Sequence, residues 1–134
     1  MLEILKSSIH RIYIDFDDVN QISLEVNDNY IYFQFESQHN LESPLRCLNY
    51  GEAESIISAL AERANLLLIE EYDVITLVNL KNVIHIGLTE DMRINCFMRD
   101  QEHLYSTKIK PTDALLAFAA LEKKLSKLEE NLEI

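Results

Sequence analysis

The sequence is poor in the residues that make many enzymes recognisable. Two glycines and two prolines stand among 134 residues, and tryptophan is absent. A loop that cradles phosphate with its backbone needs several glycines close together. Gly51 and Gly87 stand far apart, so neither a P-loop nor a G-x-G-x-x-G fingerprint is present, and there is no G-x-S-x-G elbow. Cysteine is equally sparse. Cys47 and Cys96 form no C-x-x-C pair and have no histidine at metal-ligand spacing. Each is read as a small buried apolar residue. His10, His39, His85 and His103 are too scattered to form a ligand pair at i+2 to i+4. Long apolar runs are missing as well. Nothing approaches the roughly 20 residues of a membrane helix, and the first nine residues carry Glu3 and Lys6 where a leader would be apolar. These absences lead to the expectation of a cytoplasmic chain with no cofactor, no metal and no membrane association.

Apolar residues and acid are what the chain has in quantity. Hydrophobic residues make up 48%, enough for a continuous core, and the net charge is −11. Residues 1–64 hold 11 acids against 4 bases; the remainder hold 12 against 8. A field of this sign repels nucleic-acid phosphates and anionic lipid and attracts basic protein surfaces. Lys123, Lys124 and Lys127 cluster near the end of the chain, but Glu122, Glu129 and Glu130 flank them. Direct nucleic-acid binding is therefore not expected.

The sequence also repeats itself. Ile14–Leu24 aligns with Val78–Leu88 at an offset of 64, pairing Phe16 with Leu80, Val19 with Val83, Ile22 with Ile86 and Leu24 with Leu88. One residue is then lost, and Ile31, Phe33 and Phe35 fall on Ile94, Cys96 and Met98. Further on, Leu48 aligns with Ile109, Glu52 with Asp113, Ala53 with Ala114 and Leu60 with Leu121. Local patterns agree between the copies. Ile12, Ile14 and Phe16 alternate as in a half-buried strand, and so do Ile22, Leu24 and Val26. Asp17-Asp18 and Lys81-Asn82 mark short turns. Asn27-Asp28-Asn29 is a hairpin signal, with Glu90-Asp91 in the same place in the second copy. Third strands are expected over Tyr30–Glu36 and Arg93–Arg99, and fourth strands over Leu45–Leu48 and Leu104–Ile109. The run Leu66–Ile69 reads as a buried strand. Ala53, Ile56, Ile57, Leu60 and Ala64 form a helical stripe that Asn65 can stop. Phe118, Leu121, Leu125, Leu128 and Leu132 form a second, started by Pro111 and capped by Thr112 or Asp113.

The fold class that follows is α+β: two tandem β-β-β-β-α units, residues 1–65 and 66–134. Antiparallel sheets are each followed by a helix in one pseudo-duplicated compact domain. The second helix, about 19 residues or roughly 28 Å, is longer than its strands. Leu125, Leu128 and Leu132 form a seam that either packs back on the first repeat or meets a partner helix in a dimer. Glu129, Glu130 and Glu133 oppose the dipole at its end, so fraying is expected there without a partner.

The segment Arg11–Val19, RIYIDFDDV, resembles the first motif of the haloacid-dehalogenase-type phosphatases. That resemblance implies a nucleophile at Asp15, an acid/base at Asp17 and carboxylate-held magnesium. It covers this segment alone, and no later Lys or Asp-Asp motif follows in a parallel α/β pattern. The repeat supplies a simpler account, because Asp15–Val19 occupies the slot of Asn79–Val83, a turn between strands. In size, acidity and alternation of strands with helices, the chain also resembles the dimeric chaperones of type III secretion effectors. That layout implies a homodimer through the C-terminal helix.

The reading that best fits the composition is a non-catalytic inhibitor, of the immunity-protein or phage anti-defence kind. It would occlude a basic, nucleic-acid-binding site on a protein partner. The acids of the first copy crowd into turns, at Asp15, Asp17, Asp18, Asp28, Glu42, Glu52 and Glu54, with Tyr13, Tyr30 and Tyr32 near them. Tyrosine supplies contact area and carboxylates pair with Arg or Lys. The expected partner-binding residues are Asp15, Asp17, Asp18, Tyr30, Tyr32 and Glu36.

Overall fold

The computed structural model describes residues 1–36, 44–99 and 104–132, with side chains described except at 99, 104–108 and 130–132. His39, Glu42, His103 and Glu133 lie outside the described residues, as do the side chains of Glu130 and Leu132. The first unit runs β1 (Glu3–Lys6), β2 (Arg11–Ile14), a 3-10 turn (Phe16–Asp18), β3 (Val19–Glu25), β4 (Tyr30–Phe35), β5 (Leu45–Arg46) and α1 (Tyr50–Leu60). The second runs β6 (Leu66–Glu70), β7 (Val74–Asn79), a 3-10 turn (Leu80–Asn82), β8 (Val83–Leu88), β9 (Ile94–Arg99), β10 (Leu104–Ile109) and α2 (Ala114–Leu132). The fold is α+β, with two strand-rich units each followed by a helix in a pseudo-duplicated topology. Each unit opens with a strand ahead of the four of the repeat, and in the second it is the run Leu66–Ile69. In the first unit that strand is only four residues long, too short for alternation to announce it.

The 64-residue offset runs further than the sequence alignment suggested. In the β1–β2 ladder Glu3 opposes Ile14; in the β6–β7 ladder Leu67 opposes Val78, each 64 residues on. A bulge follows the first residue of both β3 and β8. Leu45 opposes Ile31 just as Ile109 opposes Ile94, so the partner of Ile109 is the buried Leu45 and not Leu48, which is 62% exposed. The helices follow suit. Asn49 caps α1 by accepting from Glu52 N, Asp113 accepts from Leu116 N, and the buried pairs are Ala53 with Ala117 and Ile57 with Leu121. The alignment at an offset of 61 was a slip of three residues. Three residues is close to one helical turn, so an apolar stripe alone does not separate the two registers.

Turn chemistry explains the hairpins. Asn27 takes a φ of 67°, and the Asp28 carboxylate accepts from the backbone N–H of Asn29 and Tyr30. In the second unit the positive φ of 64° falls on Met92, beyond Glu90-Asp91. Asp91 instead holds the turn by accepting from the Thr89 hydroxyl and the Arg93 guanidinium, which depresses its carboxyl pKa. Helix α1 ends at Leu60, short of Ala64. Lys124 Nζ donates to the carbonyls of Ala61 and Arg63 at 2.9 and 2.7 Å, a cation where the helix dipole is negative.

Among the described residues all strand pairs are antiparallel. They form a five-stranded sheet in the order β5-β4-β3-β7-β6, a three-stranded sheet β10-β9-β8 and the β1-β2 hairpin. The five-stranded sheet has a core against each face. Ile22, Leu24, Ile31, Phe33, Leu66 and Leu77 point to the first, with α1 and the hairpin residues Ile12 and Ile14. Leu67, Ile69 and Val78 point to the second, with Ile94, Cys96 and Met98 of β9 and Ala117, Leu121 and Leu128 of α2. That two-sided burial accounts for the unbroken Leu66–Ile69 run, since successive strand residues face opposite sides. Both cysteines are fully buried free thiols. Burial pushes the Cys96 thiol up to about 11.

Candidate functional site

The acidic segment is first of all a turn. Asp15 caps the first 3-10 turn, its carboxylate accepting from Asp17 N at 3.1 Å; Asn79 caps the second identically, accepting from Lys81 N at 3.1 Å. The buried Phe16 ring anchors the turn, with the Arg63 guanidinium 4.2 Å above it and held in turn by Glu3 at 2.8 Å. Asp17 stands outside this packing at 76% side-chain exposure, 3.8 Å from Lys81. Asp18 is half-buried, and its carbonyl accepts from Glu36 N at 2.7 Å.

The structure therefore brings Asp15, Asp17, Asp18 and Glu36 together at one end of the β3–β4 pair. It places the tyrosines elsewhere. Tyr30 and Tyr32 share a face of β4, their ring centroids 6.4 Å apart. Tyr30 opposes Arg46 and Tyr32 opposes Ser23. At the rise of an antiparallel strand, Tyr30 lies about 20 Å from Glu36. Tyr32, 41% exposed, and Gln34 connect the two ends along the same face. The six residues form an elongated strip, acidic at one end and aromatic at the other. Tyr13, from β2, is also exposed.

Other chemistry-bearing side chains have structural duties. His10 Nδ1 accepts from Arg46 N at 2.9 Å, and the exposed His85 lies edge-on to Phe97 at 5.3 Å. Glu52 accepts from Leu48 N at 2.9 Å and Ser8 N at 3.1 Å, bonds that hold its carboxyl below the usual range. Burial, followed by repulsion from Lys127, lowers the Lys124 ammonium pKa. The Asp15 carboxylate is occupied in capping, and the antiparallel sheets are unlike the parallel α/β pattern of the phosphatases that RIYIDFDDV resembles. Among the described residues no group of three or more His, Cys, Asp or Glu could hold a metal ion, and no helix is long and apolar enough to cross a membrane.

Sequence reasoning missed two apolar features. A groove of about 390 Å³ runs between the end of α1, the β6 edge and the start of α2, lined by Ala61, Leu67, Leu116, Ala117, Ala120 and Lys124. The β8 edge forms the other feature, with Leu125 of α2 beside it. Of the proposed helix seam, Leu128 packs into the second core and Leu125 is 39% exposed. No protein-family model, curated protein or solved structure matches the chain.

Proposed function

We propose that the chain is a non-catalytic, cytoplasmic binding protein that occludes a basic site on a protein partner through the strip running from Asp15, Asp17, Asp18 and Glu36 to Tyr32 and Tyr30. The observation that carries this reading is the gathering of four acids from two chain segments at one end of β4, whose outer face bears Tyr30 and the exposed Tyr32. The net charge of −11 extends the same field over the molecule. Carboxylates at the rim steer a basic partner and set the salt dependence of association, and tyrosine supplies contact area. A nuclease or defence complex whose groove holds nucleic acid has the required surface, so the inhibitor would compete with phosphate backbone for the same cations.

The test is capture of partners from lysate at low and high salt with the parent chain and an Asp17→Lys variant. The expected result is a basic partner retained at low salt, released at high salt, and bound several-fold more weakly by the variant. Binding indifferent to salt and to Asp17→Lys would sink the electrostatic mechanism. The exposure of Leu125 on α2 supports a second reading, a dimeric carrier resembling secretion chaperones. Sedimentation of the isolated protein separates the two. A stable dimer disrupted by Leu125→Glu favours the carrier, and a monomer favours the inhibitor.

A further inference from the structure

The two units are not packed symmetrically, and the asymmetry falls on two residues. Strand β3 carries β7 on one edge, with Ile22 opposite Leu77 and Leu24 opposite Ile75. Exchanging the units at the offset of 64 turns that ladder into one between β8 and β2, with Ile86 opposite Tyr13 and Leu88 opposite Arg11. Among the described residues that ladder is not formed: there β8 pairs with β9, and β2 with β1. Burial follows the pairing. Leu77 and Leu24 are fully buried, whereas their counterparts Tyr13 and Leu88 are 61% and 55% exposed.

The turns differ in the same sense. Asn79 Nδ2 donates to the carbonyls of Phe16 and Val19 at 3.2 and 2.7 Å. Asn82 Nδ2 donates to those of Asp17 and Val19 at 2.9 and 3.2 Å. These amides tie the root of β7 and β8 to the root of β3. The counterparts of Asn79 and Asn82 are Asp15 and Asp18. An ionised carboxylate accepts and does not donate, so it has no bond to offer the carbonyls of Leu80, Lys81 and Val83 in return. The edge left over is apolar. Val83–Leu88 contains no charge and no proline, the features that ordinarily protect an unpaired strand.

We propose that the β1–β2 hairpin is a strap poised to pair with β8, and that Asp15 and Asp18 hold it open. Placing donors at those two positions closes the second sheet in the order β1-β2-β8-β9-β10, the mirror in topology of the first. The closed ladder covers Ile86 with Tyr13 and removes the exposed β8 edge. This inference stands on the turn geometry and is independent of any partner of the acidic strip.

The test uses the full chain with Asp15→Asn and Asp18→Asn, and a cysteine pair at Tyr13→Cys and Ile86→Cys, the counterparts of the directly opposed Leu77 and Ile22. Cys47 and Cys96 are buried and remain in place. Under mild oxidation the intramolecular 13–86 link is expected to form at least about tenfold more in the Asn background than in the Asp background, in line with the worth of two ordinary hydrogen bonds. Equal yields in the two backgrounds overturn the proposal. So does an equal rise with Asp15→Ala and Asp18→Ala, which remove charge without supplying donors. A link between two chains also overturns it, by assigning the edge to a second copy. If the cysteine pair disturbs the fold, hydrogen exchange decides in the plain Asn variant: slower exchange at residues 85–88 supports closure, and unchanged exchange refutes it.

Discussion

Asn79 joins the two halves from a buried position. It is fully buried, accepts from Lys81 N and Asn65 Nδ2, and donates to two carbonyls of the opposite unit. Asn79→Ala leaves these buried groups unpaired and is expected to cost about 3 kcal/mol, read from the urea midpoint. Asn82→Ala, at a half-buried site, is expected to cost about 1 kcal/mol. Glu52 is informative in a different way. Its folded pKa lies below the ordinary 4.5, because Leu48 N and then the Ser8 hydroxyl donate to it, with a smaller share from Ser8 N. Its contribution is therefore present above 4.5 and lost as the pH falls through the lower folded value. Unfolding midpoints of the parent measured downward through that window are expected to fall more steeply than those of Glu52→Gln. Parallel slopes would show that the bonds from Leu48 and Ser8 do not depend on the charge.

At the scale of elements, the duplication predicts matched responses at matched positions. Asn49 and Asp113 cap their helices through the same bond, to the N–H three residues on. Asn49→Ala and Asp113→Ala are each expected to cost about 1 kcal/mol in denaturant unfolding. The register of the helices also shows why sequence alone misaligned them. In strands, a one-residue slip flips every side chain to the other face, so the β3/β8 and β4/β9 correspondences were legible from Val19/Val83 through Phe35/Met98. In helices, a slip of three residues leaves the stripe nearly in place, and only the caps decide. The length of α2 was legible from its leucine spacing. The end of α1 was not, because Lys124, 61 residues beyond Arg63 in sequence, takes the carbonyls there.

At the scale of the molecule, the units that divide the sequence do not divide the structure. β7 of the second unit lies between β3 and β6, and the apolar strand β6 feeds both cores. Residues 1–65 and 66–134 are accordingly expected to unfold in one transition. Reactivity of the buried Cys47 thiol in the first unit, read in Cys96→Ala, and of the buried Cys96 thiol in the second, read in Cys47→Ala, should report coincident midpoints. Separated midpoints would mean that the halves are independent.

The fold class, the 64-residue duplication, the turn at Asp15–Asp18 and the acidic field are all legible from the residues in order. Each of these is written locally, in alternation, turn residues and charge, whose effects reach only a few positions along the chain. Only the tertiary structure decided which strands became neighbours. It placed β7 beside β3, left β2 and β8 apart, and gathered Glu36 with the acidic turn while leaving Tyr30 at the far end of its strand. The physical reason is that contacts between units are long-range: the β3–β7 backbone ladder is joined by side-chain amides reaching carbonyls more than 60 positions away. At the equivalent sites the chain carries carboxylates, which have nothing to donate.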